Sequence, residues 1–144
     1  MAIRPVARYG KTTRVAHTVS IKEVGIYADK YKAERYRYLR DPKNRRGVFM
    51  FDIFDPNKGW LSVSYGVPHY DLDTHHDLTD QERDTRYRVA AKGIQMRFEQ
   101  IANGIETPAQ AFHAHIVIDA ETGETLFERT QHLIPAIPNA KRDR

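Results

Sequence analysis

Residues 69–77 hold the densest group of side chains that could bind a metal ion. They read His-Tyr-Asp-Leu-Asp-Thr-His-His-Asp, so three imidazoles and three carboxylates fall within nine positions. Zinc, manganese and iron accept imidazole beside carboxylate, and a bound divalent ion can activate water for attack on a phosphodiester. The candidate ligands alternate along this segment and continue in a second histidine pair: Asp71, Asp73, His75, Asp77, His113 and His115. A metal-dependent hydrolase of the nuclease type is therefore one hypothesis.

The same loop also has an interpretation that involves no metal. Carboxylates just ahead of a helix are stabilised by its positive end without any ion. The segment lacks the glycine and the closing glutamate of an EF-hand loop, and the chain contains no H-E-x-x-H motif. We therefore expect no cofactor, and a divalent metal belongs to the alternative hypothesis alone.

Residues 35–46 interleave tyrosines with cations. The candidate binding residues are Arg35, Tyr36, Arg37, Tyr38, Arg40, Lys43, Arg45 and Arg46. Single-stranded nucleic acid stacks its bases on aromatic rings, at about 1–3 kcal/mol per base, while cations contact its phosphates. Strict alternation over 35–38 equally fits a strand with its tyrosines in the core and its arginines in solvent. The same composition is typical of a protein-interface hot spot.

The charge of the chain is unevenly distributed. Residues 1–46 hold thirteen lysines and arginines against four acids, whereas residues 47–144 hold ten against fifteen. Such an asymmetry favours an acidic partner, which could be a protein surface, another protomer or nucleic acid. Pairing of basic and acidic strands within one fold would explain it equally well.

Several catalytic classes are excluded by the residues themselves. The chain has no cysteine, no phosphate-binding glycine loop and no G-x-S-x-G nucleophile motif. No apolar run approaches the ~20 residues of a membrane helix, and the N-terminus lacks the apolar stretch of a secretory signal. We therefore expect a cytoplasmic, non-enzymatic binding or assembly protein without membrane contact, of a kind that phages or mobile elements could encode.

One long helix is the clearest structural element in the sequence. Thr79 and Glu82 form a capping-box pair at its start, and Asn103-Gly104 supplies a left-handed end. Between them, apolar side chains recur at spacings of four and three: Tyr87, Ala91, Ile94, Phe98 and Ile101. This stripe predicts an amphipathic helix over about residues 80–103.

Period-two alternation predicts strands in most of the remaining chain. The strand candidates are residues 12–22, 35–40, 48–54, 60–65, 112–118 and 125–134. The turn Asp55-Pro56-Asn57-Lys58-Gly59 joins the third and fourth of them, which predicts a hairpin. Gly25 is expected to mark a bend after the first strand.

These elements predict an α+β fold in two layers. A curved antiparallel sheet of about six strands would pack against the one long helix, whose single apolar stripe needs one sheet face to cover it. We expect an irregular basic arm at residues 1–11, a single domain at 12–138 and a polar tail at 139–144.

Overall fold

The computed structural model describes residues 16–136, which form an α+β fold around one open antiparallel sheet. The three strands lie in the order β1-β2-β3, with a major helix before and after them along the chain. The α-helices and strands are α1 (His17–Lys30), β1 (Glu34–Asp41), β2 (Arg46–Asp55), β3 (Gly59–Pro68), α2 (Asp80–Ala102), α3 (Pro108–Ala111) and α4 (Leu126–Thr130). Two short 3-10 helices occupy His113–His115 and Gln131–Leu133.

The prediction of about six strands against one helix is wrong. The described part of the chain contains a three-stranded sheet and several helices. Helix α1 occupies residues 17–22 of the predicted first strand, and residues 12–15 of that strand lie outside the described part of the chain. The predicted last hairpin is mostly short helices joined by isolated bridges such as Val117 with Thr125. The predicted arm and tail, with the domain limits at 12 and 138, lie outside the described residues.

Helix α1 forms because its buried side chains recur at helical spacing, which outweighs the strand preference of its β-branched residues. Ser20, Val24 and Ala28 are spaced four apart, and all three are buried where α1 packs against α2. Gly25 lies within this helix and does not mark a bend between strands. A Cβ there would lie 2.9 Å from the Tyr36 ring, so glycine permits close contact between α1 and β1.

Helix α2 confirms the predicted long helix. The Thr79 hydroxyl accepts from the Glu82 amide at 3.2 Å, and the Glu82 carboxylate accepts from the Thr79 amide at 2.9 Å. The helix ends at Ala102, and Gly104 follows with a φ of +71°. Its buried residues match the stripe: Tyr87, Ala90, Ala91, Ile94 and Phe98. A cap and a stripe together therefore suffice to define this element.

The predicted hairpin of residues 48–54 and 60–65 is confirmed by β2 and β3. Phe51 pairs with Val63 across the two strands, and alternate residues on this face form the core with α1 and α2. Asp55 is buried at the turn, where its carboxylate accepts from the amides of Asn57, Lys58 and Ala109. Burial acts to raise the pKa of Asp55, but these backbone donors outweigh it and the pKa is lowered. The turn is thereby joined to the start of α3.

The outer face of the sheet, directed away from α1 and α2, is partly open to solvent. Leu39, Phe54 and Trp60 lie on this face and are each about half exposed. The two edges of the sheet also differ. The β3 edge contacts residues 116–117, whereas no strand within residues 16–136 pairs with the outer edge of β1. None of the helices in that range is long and apolar enough to cross a membrane.

Candidate interaction surface

The two tyrosines predicted as stacking residues point toward the helices. The Tyr36 hydroxyl donates to the Ile21 carbonyl at 2.6 Å, and the Tyr38 hydroxyl bonds the Tyr87 hydroxyl at 2.5 Å. The Tyr38 ring also packs on Phe49 with centroids 5.4 Å apart. Burial raises the pKa of Tyr36 and of Tyr87 above the usual tyrosine value. Both predicted stacking residues are therefore partly buried and pack against the core.

The arginines that alternate with them point the other way. Arg35 adopts a left-handed backbone with φ 53°, at a register irregularity of β1. Its Nε donates to Asp52 at 2.6 Å, and this hydrogen bond raises the pKa of Arg35. Arg37 donates from Nη1 to the Arg35 carbonyl at 3.0 Å. No carboxylate of the described residues pairs with Arg37, so its charge remains available on the outer face.

Arg45, a predicted binding residue in the turn between β1 and β2, makes contacts within the fold. Arg45 donates to Asp77 at 2.6 Å and to the His75 carbonyl at 2.8 Å, and its guanidinium lies 4.6 Å from the Tyr70 ring centroid. Arg45 is thus used to hold the loop that follows β3 against the turn.

Arg46 is similarly engaged, whereas two neighbouring cations are not. Its Nε lies 3.1 Å from Asp41, and its Nη1 lies 3.7 Å from Glu128 on α4. Lys43 and Arg40 have no ion-pair partner among residues 16–136. The predicted set of cations therefore divides into those paired with carboxylates and those without an ion pair within residues 16–136.

The loop of residues 69–77 is ordered by its own polar groups. Asp71 Oδ1 accepts from the Asp73 amide at 2.8 Å and the Thr74 amide at 3.0 Å. The His75 ring stacks on Tyr70 with centroids 5.7 Å apart. Within the described range, no group of three or more histidines, aspartates or glutamates is placed to hold a metal ion. The structure therefore does not assemble the candidate ligands into one site.

The second histidine pair lines a different part of the surface. His113 and His115 border a cleft of about 480 Å³ between α2 and α3. The His115 ring stacks on Tyr65 at a centroid distance of 4.2 Å. Burial, aided by the charge of Arg97, lowers the pKa of His115 to about 4. This histidine is therefore uncharged at neutral pH and packs as an aromatic ring.

A polar network around the hydroxyl of Tyr87 was not predicted from the sequence. This hydroxyl contacts His69 Nε2 at 2.5 Å as well as Tyr38, and the His17 ring lies 5.4 Å from the Tyr87 ring. Burial is the main cause of a lowered His69 pKa, and nearby cations including Arg83 add to it. Tyr87 and Tyr38 are 49 positions apart, so no local spacing signals this network.

Aromatic residues are nevertheless exposed at the opposite end of the sheet. Phe54 and Trp60 face each other across β2 and β3, with ring centroids 5.6 Å apart and an edge-to-face angle of 68°. Each is 54% exposed. Exposed aromatic residues are enriched in protein-interface hot spots. This pair was predicted as part of a hairpin but not as a contact surface.

No family model, curated protein or solved structure matches this chain. The order of the elements does not substitute for such a match, because one layout of helices and strands serves many functions. The function must therefore be argued from individual surfaces.

Proposed function

We propose that this protein is a non-enzymatic binding domain whose outer sheet face and first strand contact an acidic protein partner. The exposed Leu39, which lies on the same face of β1 as Arg37, supports this most directly. Phe54 and Trp60 add exposed apolar side chains at the other end of the same sheet face. Large apolar side chains left exposed on one face, together with an arginine that has no carboxylate partner in residues 16–136, favour contact with another protein.

The edges of the sheet support the same surface. An extended segment of a partner can add to a free strand edge, where backbone hydrogen bonds give affinity and alternate side chains give specificity. The β3 edge is already contacted, since the Val117 amide donates to the Ser62 carbonyl at 2.8 Å. The described residues leave the outer edge of β1 open, and this edge adjoins Arg37 and Leu39.

Charge defines the chemistry of the partner. Residues 34–46 contain six lysines and arginines against two acids, and Arg37 and Lys43 have no ion-pair partner within the described chain. An acidic segment would complement this charge. The inward position of Tyr36 and Tyr38 takes these two rings out of reach of the bases of single-stranded nucleic acid, which favours a protein partner.

A synthetic peptide that alternates glutamate with leucine tests this proposal. Added to the ¹⁵N-labelled protein, it should shift the amide resonances of residues 34–41 and slow their hydrogen exchange. A peptide with lysine in place of glutamate should do neither. Arg37→Glu and Leu39→Asp should each weaken peptide binding by about tenfold or more, as expected for hot-spot residues. Val89→Asp, at an exposed position of α2, is the matched control and should bind as the wild type does.

Other partners would give different results in the same assays. The mass in solution could double as the protein concentration rises, and Leu39→Asp could return it to 16.7 kDa. That result would identify a second copy of the chain, and not an acidic protein, as the partner. Tighter binding to oligonucleotides, with an affinity slope of about −0.7 per phosphate contact on single strands, would replace it by nucleic acid. Equal binding of the glutamate and lysine peptides would contradict the charge argument.

A further inference from the structure

A group of cations surrounds the Tyr38–Tyr87 hydroxyl pair, on the opposite side of β1 from the proposed protein-binding face. Arg83 precedes Tyr87 by four residues, so the two side chains share one face of α2. Arg40 follows Tyr38 by two residues, so these two share one face of β1. Because the tyrosine hydroxyls touch, the fold brings both arginines to one place.

Neither arginine is neutralised there. The Arg83 Nε is buried and has no hydrogen-bond acceptor among residues 16–136. No carboxylate in this range pairs with Arg83 or with Arg40. Asp84 is adjacent in sequence, but it accepts from the backbone amide of His17 at 2.9 Å and from its ring Nδ1 at 3.1 Å. A buried guanidinium N–H without a protein acceptor is rare, and a bound anion would satisfy it.

Further positive groups lie around the same point. The guanidinium of Arg86 donates to the carbonyls of Pro68 and Tyr70, at 3.1 Å and 2.8 Å, which holds it beside the network. Burial and the charges of Arg83, Arg40, His17 and Arg86 all act to lower the pKa of His69. The end of β1 and the first turns of α2 thus bring together a cluster of cations that the carboxylates of residues 16–136 do not fully neutralise.

We propose that Arg40 and Arg83 bind a phosphate group at this cluster. A guanidinium presents its N–H groups in a fork that matches two phosphate oxygens, whereas a lysine acts as a point charge. A phosphate monoester carries about −1.5 to −2 charge at pH 7, which suits two unpaired arginines better than one carboxylate does. The ligand could be inorganic phosphate or the terminal phosphate of a nucleotide. This site uses the face of β1 opposite to Arg37, so it does not depend on the proposed protein partner.

Thermal unfolding of the full chain with sodium phosphate tests this site. A ligand that binds the folded state alone raises the unfolding midpoint as its concentration exceeds Kd. Millimolar phosphate should raise the midpoint by several degrees over sodium chloride of equal ionic strength, and sodium malonate should not. An equal rise with chloride or malonate, or no rise with phosphate, would overturn the proposal.

Variants locate the site on one face of β1. Arg40→Gln changes an exposed side chain and should abolish the phosphate-dependent rise without loss of fold, as checked by circular dichroism. Arg37→Gln, on the opposite face of the same strand, is the matched control and should retain the full rise. Arg83→Lys keeps the charge but removes the fork, so it should weaken the effect. A rise that persists in both Arg40→Gln and Arg83→Lys would contradict the assignment.

Three further compounds separate the sources of phosphate. Adenosine 5′-monophosphate should act as inorganic phosphate does if the site accepts a terminal phosphate on a larger molecule, whereas adenosine should be inert. An oligonucleotide without a terminal phosphate presents only singly charged diesters. If it raised the midpoint as strongly as the monoesters, the preference for a doubly charged phosphate would be wrong.

Discussion

The two faces of the sheet use the same kinds of residue for opposite purposes. On the helix side, Phe51 is 1% exposed and contacts Phe98 and Phe112. On the outer side, Phe54 of the same strand is 54% exposed and contacts Trp60. Residue type alone therefore does not distinguish a core position from a contact surface. The face on which a residue lies, set by the pairing register, makes that distinction.

The largest expected difference between the faces is in their contribution to stability. Phe51→Ala should lower the free energy of unfolding by about 3–5 kcal/mol, because it removes a buried ring and leaves a cavity. Phe54→Ala should cost less than about 1 kcal/mol, because most of its surface already meets water. Urea denaturation of both variants measures this difference. Similar losses for the two would mean that the outer face is also part of the core.

The glycines of the sheet provide a second comparison between the faces. A Cβ on Gly47 would collide with the hydroxyls of Tyr38 and Tyr87, so Gly47→Ala should cost about 1–3 kcal/mol through overpacking. A Cβ on Gly66 would approach only the Arg46 side chain, with its nearest atom at 3.3 Å. That side chain is flexible, so Gly66→Ala should change stability by less than about 0.5 kcal/mol.

Urea midpoints of these two glycine variants are directly comparable, since Gly47 and Gly66 lie in neighbouring strands. A large loss for Gly66→Ala would show that Arg46 cannot move. In that case its contacts with Asp41 and Glu128 would be more rigid than exposed ion pairs usually are.

A capping box led to a correct helix prediction only where an apolar stripe followed it. The capping box at Thr79 was recognised because an apolar stripe followed it. Thr107 with Gln110 and Thr125 with Glu128 form the same box. The first begins a short helix just before the region predicted as a hairpin, and the second begins one within it. Alternation over 112–118 favoured a strand, but Pro108 at the first helical position already indicated a helix start.

Some of the predicted binding cations form ion pairs and others do not, and sequence spacing does not predict which. Arg45 is neutralised by Asp77, which is 32 positions away, and Arg46 by Asp41 and Glu128. Only tertiary contacts reveal which cations remain unpaired. The alternation over residues 35–38, in contrast, correctly described a strand with its tyrosines facing inward, which was one of the two interpretations considered.

The smallest expected effect is a pH dependence of stability that arises on the helix side of the sheet. The His115 ring packs on the helix side against Tyr65, and its pKa is lowered from 6.5 to about 4. The unfolded chain binds the proton more readily, so this histidine's contribution to stability is complete above pH 6.5 and is lost as the pH falls toward about 4. Because the ring is only partly buried, solvent screening keeps the effect modest.

The measured quantity is the difference between the unfolding midpoints at pH 7 and at pH 4.5. The unfolding midpoint of the wild type should fall between pH 7 and pH 4.5, and His115→Gln should reduce that fall, because glutamine does not titrate in this range. His113→Gln, at an exposed position two residues earlier, is the control and should retain the wild-type fall. His69 has a lowered pKa of the same sign, so part of the pH dependence should survive in His115→Gln. If His115→Gln and His113→Gln behaved alike, burial and the charge of Arg97 would not hold His115 in its uncharged form.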